Sequence, residues 1–248
     1  MTTLAFVVPV YRRFELTRAC LTQLGRTCTD LYRRGIQATV VVVGDDANID
    51  VAEMLGFATV RQENKPLGRK WNDGIEYACE HLGCEMIVPF GSDNFVDAEL
   101  IANLPDSGTI RAHRLCSLVH ESGEKLAPLK ITYEGGDGIR IIPSALLEPL
   151  AYRPAIEDRE RAIDTSMRER MKRMGYKPVF DYLDLHQLQI VGFQSQDQQL
   201  NEYRGLKMMF SNGEEQTEPW ETLAEVYPQE AVDEVREVFA RRGAKVAA

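Results

Sequence analysis

The chain has 248 residues, 44% of them apolar and 27% charged, with a net charge of −9. That is an ordinary globular composition, enough for one large domain or one domain with an appendage. The acidic balance argues against tight electrostatic binding to nucleic acid or anionic membrane, and no apolar run reaches the ~20 residues that span a bilayer.

Residues 1–4 lead straight into an apolar run without the basic region and cleavage site of a signal peptide, which predicts a cytoplasmic protein. The five cysteines (Cys20, Cys28, Cys79, Cys84, Cys116) form no Cys-x-x-Cys pair, so inert thiols are expected rather than zinc. Residues 4–10, Leu-Ala-Phe-Val-Val-Pro-Val, are nearly all apolar, the pattern of a parallel strand buried on both faces. Pro9 cannot donate to a ladder and marks its end. After the loop Tyr11-Arg12-Arg13, residues 14–25 place Leu16, Ala19, Cys20 and Leu24 at helical spacing. Residues 37–43, with four consecutive valines, form the next buried strand and run into Gly44-Asp45-Asp46-Ala47-Asn48. A helix over 50–55 and a strand over 58–61 precede a turn cluster at 64–68 and a helix over 69–81. A third long strand, 85–90, ends in Gly91-Ser92-Asp93-Asn94, and 97–101 is again helix-like. This alternation predicts an α/β fold with a parallel, doubly wound sheet. The Gly-x-Gly-x-x-Gly fingerprint is missing after the first strand, which argues against a nicotinamide enzyme.

Past residue 105 the pattern is mixed. Residues 109–118, 130–133 and 139–142 read as strands, 134–138 (Glu-Gly-Gly-Asp-Gly) as a flexible loop, and 144–150 as a short helix. Residues 157–175 form a strongly charged helical region closed by Gly175 as its C-cap. Residues 176–185 are extended. The tail is polar, except that Ala231, Val232, Val235, Val238 and Phe239 share one face of a helix over 229–242. That face either packs on the chain's own core or mediates a homo-oligomer.

Asp93 ends an apolar strand, which puts a carboxylate at the edge where open α/β sheets bind ligands. A hard divalent cation there would use carboxylate oxygens and hold a diphosphate. The same Asp could equally cap or turn the chain. Four stretches then line up: Val8-Pro9-Val10-Tyr11, Val43-Gly44-Asp45-Asp46-Ala47-Asn48-Ile49-Asp50, Asn64 through Asn72-Asp73-Gly74, and Gly91-Ser92-Asp93. In order and spacing they resemble the N-terminal half of the GT-A fold glycosyltransferases, specifically the family 2-like group. A fifth likeness is Ile163-Asp164 running to Gly175-Tyr176, similar to that group's base helix.

The resemblance implies a nucleotide-sugar-binding half over 1–105, an acceptor and catalytic half over 106–195, and a polar, helical tail over 196–248. It implies a sugar transferase with a UDP-type donor, acting with inversion. Pro9 and Tyr11 would flank the base, and Asp45 and Asp46 would hold base and ribose. Arg69 and Lys70 start a helix whose N–H groups favour phosphate, with Asn72 and Gly74 allowing a close approach. Asp93 would hold Mg²⁺ or Mn²⁺, with His186 as a further ligand. Asp164 would be the general base, with Glu157-Asp158 as its rival. The glycines of 135–138 would clamp the acceptor or simply turn a hairpin. Two departures stand out: Gly91 replaces the first metal-motif carboxylate, and Ile163 replaces the usual Glu. They support a rival reading, a binding or scaffold protein that has lost catalysis. A nucleotidyltransferase shares the sheet but carries a Gly-rich basic loop where Pro9-Val10-Tyr11-Arg12-Arg13 stands. The acceptor stays open among a small sugar, a protein and a modified nucleic-acid base.

Overall fold

The computed structural model describes residues 1–45, 47–113, 115–120, 126–130, 139–160, 163–181, 188–194 and 218–246. The first half alternates as predicted: β1 (Thr2–Pro9), α1 (Phe14–Arg33), β2 (Ile36–Gly44), α2 (Ala47–Met54), β3 (Ala58–Arg61), α3 (Leu67–Glu76) and β4 (Met86–Pro89). Helix α1 outruns the predicted 14–25 because no breaker follows Gly25 and Leu31 is buried on its inner side. Helix α3 continues through a wider π turn, Tyr77–His81. Short β5 (Asn94–Val96) and α4 (Ala98–Ala102) follow.

The second half departs more from expectation. The single strand predicted over 109–118 is two, β6 (Ile110–His113) and β7 (Leu115–His120), which belong to different sheets. Strand β8 (Leu126–Lys130) precedes the predicted 130–133, of which 131–133 lie outside the described residues, as does the loop 134–138. Strand β9 (Ile139–Pro143) stands where predicted. Residues 144–150 form two 3₁₀ turns, Ser144–Leu146 and Glu148–Leu150, since Pro149 has no N–H for a continuous helix. Helix α5 (Ile163–Arg173) is shorter than the predicted 157–175. Gly175 follows it at φ 86, its N–H donating to Lys172, so the C-cap glycine is where the sequence put it. Strands β10 (Pro178–Asp181) and β11 (Ile190–Gln194) and helices α6 (Pro219–Ala224) and α7 (Gln229–Val246) complete the order.

Among the described residues the main sheet runs β10-β6-β9-β4-β1-β2-β3, and a smaller sheet runs β5-β11-β7-β8. Strands β4, β1, β2 and β3 are mutually parallel, and β9 is antiparallel to β4 and β6. Alternation along the central strands separates two cores, as period-2 side chains must. Leu4, Phe6, Val8, Val40, Val42, Met86 and Val88 face one way, with Leu21 and Leu24 of α1 and Leu100 and Ile101 of α4. Ala5, Val7, Val41, Val43 and Ile87 face the other, under Trp71 and Ile75 of α3 and Ile163, Met167 and Met171 of α5. Both faces are covered, which is why these strands read as continuous apolar runs. A third core joins the outer side of α1 (Leu16, Ala19, Cys20) to α7 (Ala231, Val232, Val235, Val238, Phe239) and to Phe95 and Phe193 of the small sheet. The apolar face of α7 is thus buried within the chain. No helix among the described residues is long and apolar enough to cross a membrane.

Candidate functional site

Strands β1, β2 and β3 step outward one way, and β4 returns to the opposite side of β1. Neighbouring parallel strands whose connections leave in opposite directions open a crevice beyond their carboxyl ends. Here that crevice lies between the end of β1 and the end of β4. Residues 10–13 form one wall and residues 90–93 the other. Across it, Arg13 Nη1 donates to Asp93 Oδ2 at 2.6 Å and Nη2 to Ser92 Oγ at 3.3 Å. Arg12 and Arg13 both have left-handed backbones, φ 54 and 50. Such conformations are sparsely populated and persist where the surroundings over-determine them. Arg13 is also the N-cap of α1, yet its side chain makes no cap bond. The pair lies beside Cys20, whose thiol is pushed up by burial and then by Asp93, with Arg13 opposing.

The adjoining ends of β1 and β2 are joined by a chain of bonds, buried at Lys70 and part-buried beyond it. Lys70 is 1% exposed, and its Nζ donates to the Val10 carbonyl at 2.5 Å and to Asn64 Oδ1 at 3.1 Å. Asn64 Nδ2 in turn donates to Asp45 Oδ2 at 2.9 Å. Asn48 Nδ2 reaches the Arg12 carbonyl at 3.2 Å. Gly44 is needed here, because a Cβ would stand 2.6 Å from Val10 Cγ2.

A third group fastens the start of α3 to residues 153–159. Asn72 is buried and spends both ends of its amide on Ala155, donating to its carbonyl at 3.1 Å and accepting from its N–H at 2.8 Å. The N–H groups of Gly68 and Arg69 donate to the carbonyls of Arg159 and Glu157. A Cβ on Gly68 would fall 2.0 Å from the Ile156 carbonyl oxygen, so only glycine allows this contact. Arg153 donates to Asp73, Glu76 and Glu157. Its hydrogen bond and charge hold the Glu157 carboxyl below its ordinary range. Arg170 of α5 donates to the carbonyls of Arg153 and Ala155, tying that helix to the same segment.

These contacts revise several expectations. The N-terminus of α3 is not open to a phosphate, because the N–H groups of Gly68 and Arg69 are taken by carbonyls of 157–159. Lys70 and Asn72 are buried supports whose polar ends face the protein. Gly74 serves helix–sheet packing, since a Cβ would meet Val43 and Val7 at 2.5 and 2.6 Å. Residues 157 and 158 are a turn and 160 a bend, off the helical path, where the carbonyls of Glu157 and Arg159 cap α3. Ile163 is a core residue of α5, stacked with Met167 and Met171. Pro9 pairs with Val43 at the end of β1, and Tyr11 is exposed with the Arg12 guanidinium 4.8 Å from its ring centre. Arg69 is exposed, and Asp164 is the second residue of α5. Asp46 and His186 lie outside the described residues. The sequence reading passed over Arg13, Ser92, Asn64 and Arg153 as site residues. Two adjacent arginines between a buried strand and a helix were the available signal for the first.

Of the expected Mg²⁺ or Mn²⁺ ligands only Asp93 is among the described residues, since His186 lies outside them. Among the described residues no three His, Cys, Asp or Glu side chains converge. Asp93 is ion-paired with Arg13, and position 91 offers no carboxylate. A Cβ there would lie 2.9 Å from Asp93 Oδ1 and 2.8 Å from Asn94 Nδ2, so those side chains would have to shift to admit one.

No protein-family model matches the sequence, and no curated protein matches it. Among solved structures, S. aureus TarS 1–349 in complex with UDP-GlcNAc aligns with a TM-score of 0.56 at 16% identity, over 79% of this chain and 59% of that one. A CMP:2-keto-3-deoxy-manno-octonic acid synthetase complexed with CTP aligns at 0.48 and 13%, over 84% and 99%. A Drosophila β1,4-galactosyltransferase 7 mutant in complex with manganese, UDP-Gal and xylobiose aligns at 0.46 and 13%, over 73% and 65%. This chain spans about three fifths of the TarS segment. At 16% identity the likeness to TarS shows the fold alone, which is of the GT-A type.

Proposed function

We propose that this chain transfers a sugar from a uridine diphosphate donor to an acceptor hydroxyl, with inversion at the anomeric carbon. The observation that carries the reading is the crevice between β1 and β4, walled by Arg13 and Asp93, with Asp45 fixed beside it by Asn64 and Lys70. Anionic and cationic groups meet there at the edge where open α/β sheets bind ligands. In this reading Tyr11 and Pro9 flank the base, and Asp45 and Asp46 hold base and ribose. The diphosphate lies across the ends of β1 and β4, with Arg69 adding charge. Lys70 and Asn72 keep the strand ends and the α3 segment in register. Asp164 takes the proton of the acceptor hydroxyl as that oxygen attacks. An anion is favoured in the first turn of a helix, which suits a carboxylate base at this position. The metal expected at Asp93 is assigned no step, because the described residues do not assemble a site for it.

Ile163 lends no support to a protein that has lost catalysis, because its apolar side chain is part of the α5 core. Titration calorimetry tests the donor. UDP is expected to bind about tenfold or more tightly than ADP or NAD, the scale of one lost set of base-specific hydrogen bonds. Binding of NAD without any uridine nucleotide overturns the reading. CTP binding with release of pyrophosphate would replace it with nucleotidyl transfer.

A further inference from the structure

The nucleotide-diphosphate reading leaves one requirement unmet. A charge must offset the leaving diphosphate, and the described carboxylates do not assemble a metal site. We propose that Arg13 supplies this charge as a fixed guanidinium and that Asp93 is the positioning residue that holds it in the crevice. The inference rests on the donor assignment above.

Three observations converge on Arg13. Its guanidinium lies between the ends of β1 and β4, 2.6 Å from Asp93. It is held at both ends, by a left-handed backbone on one side and by Asp93 and Ser92 on the other. About a sixth of the Arg13 and Asp93 side chains remains exposed (17% and 16%), so the pair is accessible from the crevice. Ser, Thr, Asp or Asn at an N-cap would bond the helix. Arg13 occupies that position and reaches across the crevice instead. Guanidinium is suited to the task because its planar donors match phosphate oxygens and it stays charged at any working pH. A charge fixed before the reaction needs no reorganisation when the leaving group develops its own.

The step balances without another reactant. The acceptor oxygen bonds to the anomeric carbon while the bond from that carbon to the diphosphate oxygen breaks. The electron pair of the broken bond goes to that oxygen, where Arg13 pairs with it. The hydroxyl proton goes to the Asp164 carboxylate.

Calorimetry with UDP and with uridine, each in chelator and in millimolar Mn²⁺, tests the proposal. The wild-type chain is expected to bind UDP with the same affinity in both buffers. Arg13→Gln should weaken UDP by about 10–100-fold, the scale of a lost charged hydrogen bond, and leave uridine unchanged. Arg13→Lys should lose less, and it decides the matter if the Gln variant fails to fold. Asp93→Asn should retain UDP binding in chelator, since it removes an anion beside the diphosphate. UDP binding that requires Mn²⁺ and is lost in Asp93→Asn overturns the inference and leaves the donor assignment standing. Equal loss of UDP and uridine in Arg13→Gln also overturns it, by making Arg13 a structural residue. Absence of uridine and UDP binding in both buffers overturns the donor assignment and the inference with it.

Discussion

Among single residues, the sequence readily identifies types that suit a site, but their partners decide their work. Lys70, whose type suits phosphate, donates to Val10 and Asn64, 60 and 6 residues away in sequence. In the proposed mechanism Asp164 is the base, and general-base help is worth about 10²–10⁴-fold. Asp164→Asn should cut sugar transfer by that factor while leaving UDP affinity unchanged, and Asp158→Asn should cost less. The reverse order in a steady-state assay would move the base to Asp158. Gly74 gives a cleaner packing test. Replacing an interior helical glycine with alanine gains about 1 kcal/mol in propensity. Here the new Cβ meets Val43 and Val7, fully buried side chains with no room to turn. Overpacking costs about 1–3 kcal/mol, so Gly74→Ala should lower stability in urea titration.

At the level of elements, the joint between α3 and residues 153–159 carries the most polar contacts. Arg153 binds one carboxylate on each of Asp73, Glu76 and Glu157 and is itself largely covered. Arg153→Leu leaves those carboxylates without their cation and should cost about 2 kcal/mol, or about 4–8 °C in Tm for a domain of this size. Glu157 adds a pH dependence. Its carboxyl is held low by the bond to Arg153, then by that residue's charge. The stabilisation is therefore present above the ordinary carboxylate pKa of about 4.3 and disappears as the pH falls through the lower folded value. Glu157→Gln should be less stable than wild type at pH 7 and equal to it once the wild-type Glu157 carboxyl is protonated in both the folded and the unfolded state. Chemical denaturation across that range checks the convergence, and a constant difference at all pH values would remove Glu157 from the acid response.

For the whole molecule, the docking of α7 ties the end of the described chain to its beginning. Phe239 packs with Phe193 and Trp220 at ring separations of 6.3 and 5.9 Å, in the same core as Leu16 and Cys20 of α1. Phe239→Ala should cost about 3–5 kcal/mol. Removing residues 218–248 uncovers the outer face of α1, and the shortened chain should aggregate in size-exclusion chromatography. A monodisperse, cooperatively folded product would show that this core is dispensable. The burial also explains why a polar tail carries one apolar helical stripe.

The sequence by itself determined the parallel half. Short, valine-rich apolar runs bounded by turn residues read as strands covered on both faces, and the helical spacings between them place α1 and α3 without any knowledge of contacts. It also placed Asp45 and Asp93 at strand ends and Gly175 at a helix end, because those signals are local. The tertiary structure alone decided which groups meet. Arg13 pairs with Asp93 across 80 residues, and Asn72 reads the backbone of Ala155 across 83. A guanidinium leaves no periodic trace of the carboxylate it will find. The capping of α3 by 157–159 likewise overrode a charged helical pattern there. An N–H left unpaired at a covered helix start costs more than the weak helix propensity that the turn gives up.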